Sequence, residues 1–481
     1  MQTYVIEGRR PAALFRYFEE ISAIPRGSYN EAGVADYLVA FAKAHGLEHV
    51  RDEHNNVLIK APATKGKEHC APLLFQGHTD MVCEKNNDVV HDFLRDPLQL
   101  YVDGKFLRAR GTTLGADDGV AVALMLALLA GEVREHPAYE CLFTTAEEVG
   151  LNGALGFDYS KLSARKMINL DSEALGVVTV GCAGGIRTDL TLCCTPDVFA
   201  GEGVRFSIRG LMGGHSGENI NSGRANAIKL AGRMLSEAIL VDPALRLVSV
   251  NGGSKDNAIP RECDVVLATA RPDAVMDALT DAAERIAAEL HADDRGFSVS
   301  CESTDADAVM LSAEDTARAI AVLTCSACGV LAMSTKVKGL VEYSRNLGIV
   351  RTEDGKMTFA FSSRSGLESR LDATMAELEA LARVCGCEVA HHGRYPGWAD
   401  AAQSDVRDAY LRAYRDVTGK DAIVNVIHAG LECGIIYSKL PDMDIISVGP
   451  TMQNIHSPDE ALDLDATEVF WDTIVRLIEI I

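Results

Sequence analysis

Ala71-Pro-Leu-Leu-Phe-Gln-Gly-His-Thr-Asp80 starts as an apolar run and ends in a histidine and a carboxylate two residues apart. Three other stretches share this form. Tyr139-Glu-Cys-Leu-Phe-Thr-Thr145 leads to Glu147-Glu148, Lys166-Met-Ile-Asn-Leu170 to Asp171, and Asp444-Ile-Ile-Ser-Val-Gly-Pro450 to His456. Short apolar runs separated by helical patterns read as buried parallel strands. In an open α/β sheet the carboxyl ends of such strands share one crevice, where ligands bind. The expected fold class is therefore α/β with a mainly parallel sheet. Two histidines and several carboxylates brought to that crevice make a nitrogen–oxygen site for a borderline divalent metal, with ligands enough for two ions.

At 481 residues the chain exceeds what one hydrophobic core supports, so two or more domains are expected. No apolar run approaches the ~20 residues of a membrane span, and the first ten residues lack the apolar core of a secretory signal. A cytoplasmic protein is expected. The net charge of −23 repels phosphate backbones, which argues against nucleic acid or an anionic membrane as partner. Thirteen cysteines, an odd number, suit a reducing compartment. Cys325-Ser-Ala-Cys328, with Cys385-Gly-Cys387 in the same region, falls in an apolar helical pattern and reads as buried thiols rather than a structural zinc site.

Helices are expected over 11–24 and 31–46, strands near 57–61, 72–77, 139–145 and 166–170, and an apolar helix from Gly119 to Ala130. The texture changes at Gly181-Cys-Ala-Gly-Gly185. Strand 204–210, helix 224–240, strands 246–250 and 260–270, helix 273–290 and strand 297–303 then form a split ferredoxin-like unit. A second, similar run follows, with helix 313–331, strands 339–350 and 357–363, helix 367–384 and strand 387–391. The α/β pattern resumes with helix 404–418, strands 423–427 and 444–449, and a terminal helix 461–481. A catalytic domain of 1–185 and 393–481 thus carries an inserted lid domain, 186–392, of two ferredoxin-like α/β halves.

Residues i and i+2 of an extended segment face one side, so Asp80 can orient the imidazole of His78. Taken alone, such a triplet reads as a solvated turn. Asp117-Asp118 opens the apolar helix, where one Asp serves as an N-cap. A second Asp beside it adds repulsion that a cation would relieve, which favours Asp117 as a ligand shared by both ions, with Asp118 in support. Two adjacent carboxylates in a buried crevice suit Glu147 as general base and Glu148 as ligand. Asp171 and His456 complete the set.

The ordered motifs Gly77-His-Thr-Asp80, Gly115-Ala-Asp-Asp-Gly119, Thr145-Ala-Glu-Glu148, Asn169-Leu-Asp171, Gly213-Gly-His-Ser-Gly217, Asn257-Ala-Ile-Pro-Arg261 and His456-Ser-Pro-Asp459 span essentially the whole chain. Together they resemble the co-catalytic zinc metallopeptidases, the family of carboxypeptidase G, aminoacylase and the carnosinases, and within it the aminoacyl-histidine dipeptidase branch. The resemblance implies a catalytic domain of zinc aminopeptidase type with two zinc ions, for which cobalt or manganese can substitute. His78 and Asp171 would hold one ion, Glu148 and His456 the other, and Asp117 both. Asp80 would orient His78, and Glu147 would act as general base. His215 would stabilise the oxyanion, and Asn257 and Arg364 would hold the substrate carboxylate or the transition state. The segment His428-Ala-Gly-Leu-Glu432 would line the substrate pocket, with Glu432 against the substrate amine. The implied reaction is hydrolysis of dipeptides, Xaa-His dipeptides such as carnosine included. N-acyl amino acids or longer peptides are alternative substrates, and a non-catalytic metal sensor is an alternative of another class. A homodimer is favoured as the assembly, although a doubled lid could supply the same groups within one chain.

Overall fold

The computed structural model describes residues 4–305, 310–335, 339–399, 401 and 403–481. It forms two compact units. The first is Met1–Cys182 with Trp398–Val426 and Leu431–Ile481, and the second is Ala183–Gly397 with Ile427–Gly430. Expected borders at 185 and 392 lie a few residues from these, but the sequence gives no sign that 427–430 goes with the second unit.

The first unit contains an eight-stranded sheet in the order Glu48–Arg51, Val57–Ala61, Tyr139–Thr144, Leu73–His78, Lys166–Asn169, Asp444–Ser447, Val177–Cys182, Ile423–Ile427. The four strands from Tyr139–Thr144 to Asp444–Ser447 are parallel. Leu73–His78 and Tyr139–Thr144 are buried at every position, as parallel strands covered on both faces must be. Glu48–Arg51, Val57–Ala61 and Val177–Cys182 run antiparallel to their neighbours, so the sheet is mixed towards its edges. The wholly buried helix Ala116–Leu129 packs on strand Leu73–His78 and helix Ala12–Ser22.

Register decides where chemistry can occur. His78 lies opposite Thr144, and Asn169 lies opposite both Gln76 and Ser447. The parallel strands therefore end nearly level, and residues just beyond them emerge along one edge. A small four-stranded sheet of Met452–Gln453, Ala461–Asp463, Phe106–Ala109 and Leu100–Asp103 frames the 454–460 loop that carries His456. The terminal helix expected from 461 instead starts at Leu464, with the Asp463 side chain accepting the N–H of Ala466 as its cap.

The second unit has a nine-stranded sheet. Its order is Ser298–Thr304, Glu202–Arg209, Cys263–Thr269, Arg246–Gly252, Val341–Glu353, Lys356–Ser365, Gly184–Cys193, Glu388–Tyr395, with Gly329–Met333 paired to Val341–Glu353. The first four, with helices Ala227–Val241 and Pro272–Glu289, make the expected ferredoxin-like half. The other half takes its first strand from Gly184–Cys193, far upstream of its helix Ala313–Cys325, so one half is inserted within the other. The two halves share one core that includes Phe206, Leu235, Leu323, Phe359 and Phe361.

The helix expected over 313–331 stops at Cys325, and Gly329–Met333 is a strand. Cys325 is exposed at the helix end, against the expectation of a buried thiol, whereas Cys328 is partly buried and its Sγ accepts the N–H of Leu347. All thirteen cysteines are free thiols.

Candidate dinuclear metal centre

His78 ends its strand and is almost wholly buried. Its Nδ1 donates to the main-chain carbonyl of Asp80 at 3.1 Å and lies 3.4 Å from the Asp80 carboxylate. The ring is thereby held with Nε2 towards Asp117 at 3.0 Å and Asp171 at 3.7 Å. The second oxygen of Asp117 is 3.1 Å from Nε2 of His456, which lies 3.2 Å from Glu148. One carboxylate thus stands between two imidazoles, and each imidazole has a further carboxylate beside it. Three sets each place one donor atom per residue within 4.8 Å of the others: His78, Asp118 and Asp171; His78, Glu147 and Glu148; and Asp117, Glu148 and His456.

The helix N-terminus does not account for the aspartate pair. Asp117 and Asp118 are joined by a cis peptide bond and lie outside helical dihedral space. The leading N–H groups of Leu114, Gly115, Ala116 and Asp117 are all taken by the carboxylate of Glu460. The Asp117 and Asp118 side chains therefore do not cap the helix.

Burial and mutual repulsion shift the ionisation of the whole cluster. Burial, then the charges of Asp171 and Asp117, pushes Asp118 well above the ordinary carboxylate range. Burial, with Asp171 and Glu148 adding to it, does the same to Glu147. Burial raises Asp171 to about 7. Hydrogen bonds to Asp117 and Glu148 raise His456 to about 11. For Asp117 burial works in the opposite sense, but its bonds to His456 and His78 hold it below the usual range. The cluster is short of positive charge, and buried atoms are left without hydrogen-bond partners: Oε1 of Glu148 and both carboxylate oxygens of Asp118. Imidazole nitrogen and carboxylate oxygen, with no thiolate, suit zinc, manganese or cobalt. Two divalent ions fit these residues and would relieve the repulsion among them.

Several supporting groups were not legible in the sequence. Asp80 has a second task beyond His78: its carboxylate takes Ser28 Oγ at 2.8 Å and the N–H groups of Glu147 and Glu148 at 3.1 and 3.3 Å. Arg26 is fully buried and donates to the carbonyls of Thr79 at 2.9 Å and Asp80 at 3.3 Å, and to that of Gly115. It ties the turn after His78 to the turn before Asp117. The Glu31 carboxylate takes the N–H of Ala146 at 3.0 Å, just ahead of the glutamate pair. Arg26 and Glu31 are ordinary charges in sequence, and only long-range folding gives them their partners.

Glu432 requires a correction. Expected against a substrate amine, its carboxyl is instead fully buried and takes hydrogen bonds from Thr144 Oγ1 at 2.7 Å and from Gln76. Gln76 in turn accepts from Asn169 at 2.7 Å, so Glu432 ends a network that links neighbouring strands. Burial raises its pKa to about 7.

The second unit gathers its own polar cluster. His215 pairs with Ala258 in a short antiparallel ladder, and the main-chain carbonyl of neighbouring Asn257 accepts the N–H of Ser216 at 2.8 Å. Nε2 of His215 lies 3.4 Å from Nη2 of Arg364, and its Nδ1 lies 3.3 Å from the N–H of Glu218. Both neighbours are donors, so a neutral ring satisfies one of them in each tautomer. His428 does not present a free ring: Nε2 lies 2.7 Å from Ser344 Oγ, and the carbonyl of Val341 bonds the imidazole too.

Comparison with known proteins identifies the family. The family model described as peptidase family M20/M25/M40 matches residues 74–480. The cytosol non-specific dipeptidase of Escherichia coli K12 is 38% identical over 474 residues, covering 98% of this chain and 97% of that protein. The crystal structure of the aminoacylhistidine dipeptidase of Vibrio alginolyticus superposes with a TM-score of 0.89 at 39% identity, covering 98% of this chain and 97% of that one. Aminopeptidase PepT of Bacillus cereus, at 16% identity and a TM-score of 0.56 over 98% of both chains, shares the fold. A match that runs from the first site strand to the terminal helix, and a relative aligned almost end to end, show that the chain belongs to peptidase family M20/M25/M40 and is a metallopeptidase.

Proposed function

We propose that the protein hydrolyses dipeptides, Xaa-His dipeptides such as carnosine among them, with two zinc ions in the first unit. His78 and Asp171 would hold one ion, Glu148 and His456 the other, and Asp117 would serve both. The observation that carries this reading is the Asp117 carboxylate, one oxygen 3.0 Å from His78 and the other 3.1 Å from His456. The dipeptidase names of the Escherichia coli and Vibrio relatives support the substrate class. A cytoplasmic location is part of the proposal; the word cytosol in the first relative's name supports it, and among the described residues no helix is long and apolar enough to cross a membrane.

Two divalent ions held by these residues would supply Lewis-acid chemistry, namely a more acidic water and a polarised scissile carbonyl. Glu147, fastened by its N–H to Asp80, takes the water proton on its carboxylate and returns it to the leaving amine nitrogen. Asp80 keeps His78 oriented and the Glu147–Glu148 turn in place. His215 donates from Nε2 to the developing oxyanion, using the tautomer whose Nδ1 accepts from Glu218 N–H. Arg364 pairs with the C-terminal carboxylate of the substrate, and Asn257 serves the same end.

The test is turnover of Xaa-His dipeptides and of matching N-acetyl amino acids by zinc-loaded and chelated protein. Zinc-dependent cleavage that favours the dipeptides is expected. Preference for the acetylated series would make the protein a deacylase, and no turnover of either would favour a sensor.

A further inference from the structure

Three arginines of the described chain are buried: Arg26, Arg345 and Arg364. Two are neutralised by their surroundings. Arg26 donates to main-chain carbonyls within the field of Glu460, Asp80 and Asp118, and Arg345 lies 2.6 Å from the carboxylate of Glu377. Arg364 differs. It is 8% exposed, its Nε has no hydrogen-bond partner, and its guanidinium meets the Tyr395 hydroxyl at 2.9 Å and His215 at 3.4 Å. A buried guanidinium is costly without a counter-charge, so this one is set for an anion.

Tyr395 reaches Arg364 through an arrangement of the sheet. Gly185 is the cross-strand partner of Arg364 on one side and of Tyr395 on the other. Cross-strand partners share a face, so Arg364 and Tyr395 project from the same face, two strands apart, over a position without a side chain. A Cβ at 185 would fall 2.5 Å from the Tyr395 hydroxyl oxygen, and one at 430 would fall 2.8 Å from its ring. Two glycines therefore seat the ring against the guanidinium. The phenol oxygen accepts from Nη1, which leaves the hydroxyl hydrogen as a donor, and among the described residues it has no acceptor.

We infer that Tyr395 is the second half of the carboxylate site: its oxygen holds Arg364 in place while its O–H donates to the C-terminal carboxylate of the dipeptide. This rests on the reading of Arg364 given above. The paired donors would select peptides with a free C-terminal carboxylate over amides or longer chains, since an acceptor lost from a fixed donor pair is poorly replaced.

The experiment compares a dipeptide with its C-terminal amide on zinc-loaded wild-type, Tyr395→Phe, Gly185→Ala and Arg364→Met proteins. Tyr395→Phe keeps the ring between its glycines. It should raise KM for the free acid roughly ten-fold or more, as expected for a lost hydrogen bond to a charged group, with kcat nearly unchanged. The preference for acid over amide should fall by the same factor. Gly185→Ala, which pushes the hydroxyl away without removing it, should act in the same direction. A preference that Arg364→Met abolishes but Tyr395→Phe leaves intact overturns the role of Tyr395 alone. A wild-type protein that cleaves acid and amide equally overturns the Arg364 reading and the inference with it.

Discussion

The Asp80 carboxylate lies 3.1 Å from the main-chain N–H of Glu147, while its own carbonyl accepts from Nδ1 of His78. The same carboxylate lies 3.4 Å from Nδ1 of His78, so one residue sets both a candidate ligand and the candidate base. Burial alone would raise its pKa, but His78, Ser28 and the Glu147 N–H outweigh that and hold it ionised.

Asp80→Ala should loosen His78 and the Glu147–Glu148 turn together. Removing such a supporting group typically weakens metal binding or activity by about 10- to 100-fold. Chelator competition should show weaker zinc binding alongside lower turnover. A variant that keeps wild-type affinity and rate would show that Asp80 orients neither group.

Glu147 and Glu148 are adjacent but are assigned different work. Glu147→Gln should retain both ions and lose turnover, while Glu148→Gln should also lose metal from the side of His456. Metal analysis of the two variants decides this, and the reverse pattern would exchange their roles.

How much of this was legible in the sequence follows from chain distance and from charge. His78, Asp117, Glu147, Glu148, Asp171 and His456 stand at the ends of apolar runs or helices, and a parallel sheet gathers such ends by geometry. Arg26, Glu31 and Glu460 could not be told from solvated charges, because their partners are main-chain groups that only the finished fold brings near. The second ferredoxin-like half begins with a helix in sequence because its first strand, Gly184–Cys193, precedes the whole of the other half. The overlong helix at 313–331 has a local cause: the apolar pattern continues through Cys328, and only Gly329, at φ 98°, marks the change to strand. Short strands such as Met452–Gln453 carry no periodicity to read.

His215→Ala tests the chemistry assigned to the second unit. Loss of one oxyanion donor lowers turnover by about 10²–10³-fold. Zinc content and KM should stay near the wild-type values. Near-normal kcat would remove His215 from the reaction.

His428 gives a pH test away from the candidate ligands. Burial first, then the charge of Arg364, lowers its pKa to about 4. The folded state thus favours the neutral ring, and this contribution is fully present above the unfolded value near 6.5. As pH falls towards 4 the unfolded chain binds the proton first, so stability is lost across that window, on the order of 2–3 kcal/mol. Denaturant unfolding of wild-type and His428→Gln proteins between pH 7 and pH 4 should show the wild type losing more stability than the variant. Parallel curves would mean that His428 titrates as it does in the unfolded chain.

The most direct measurement is a zinc titration of metal-stripped protein, with hydrolysis of an Xaa-His dipeptide followed at each addition. Turnover should be absent at the start and reach its maximum when about two equivalents are bound, and Asp117→Asn should lose that two-ion end point. Full turnover by protein shown to be free of metal would contradict a reaction centred on Asp117, His78 and His456.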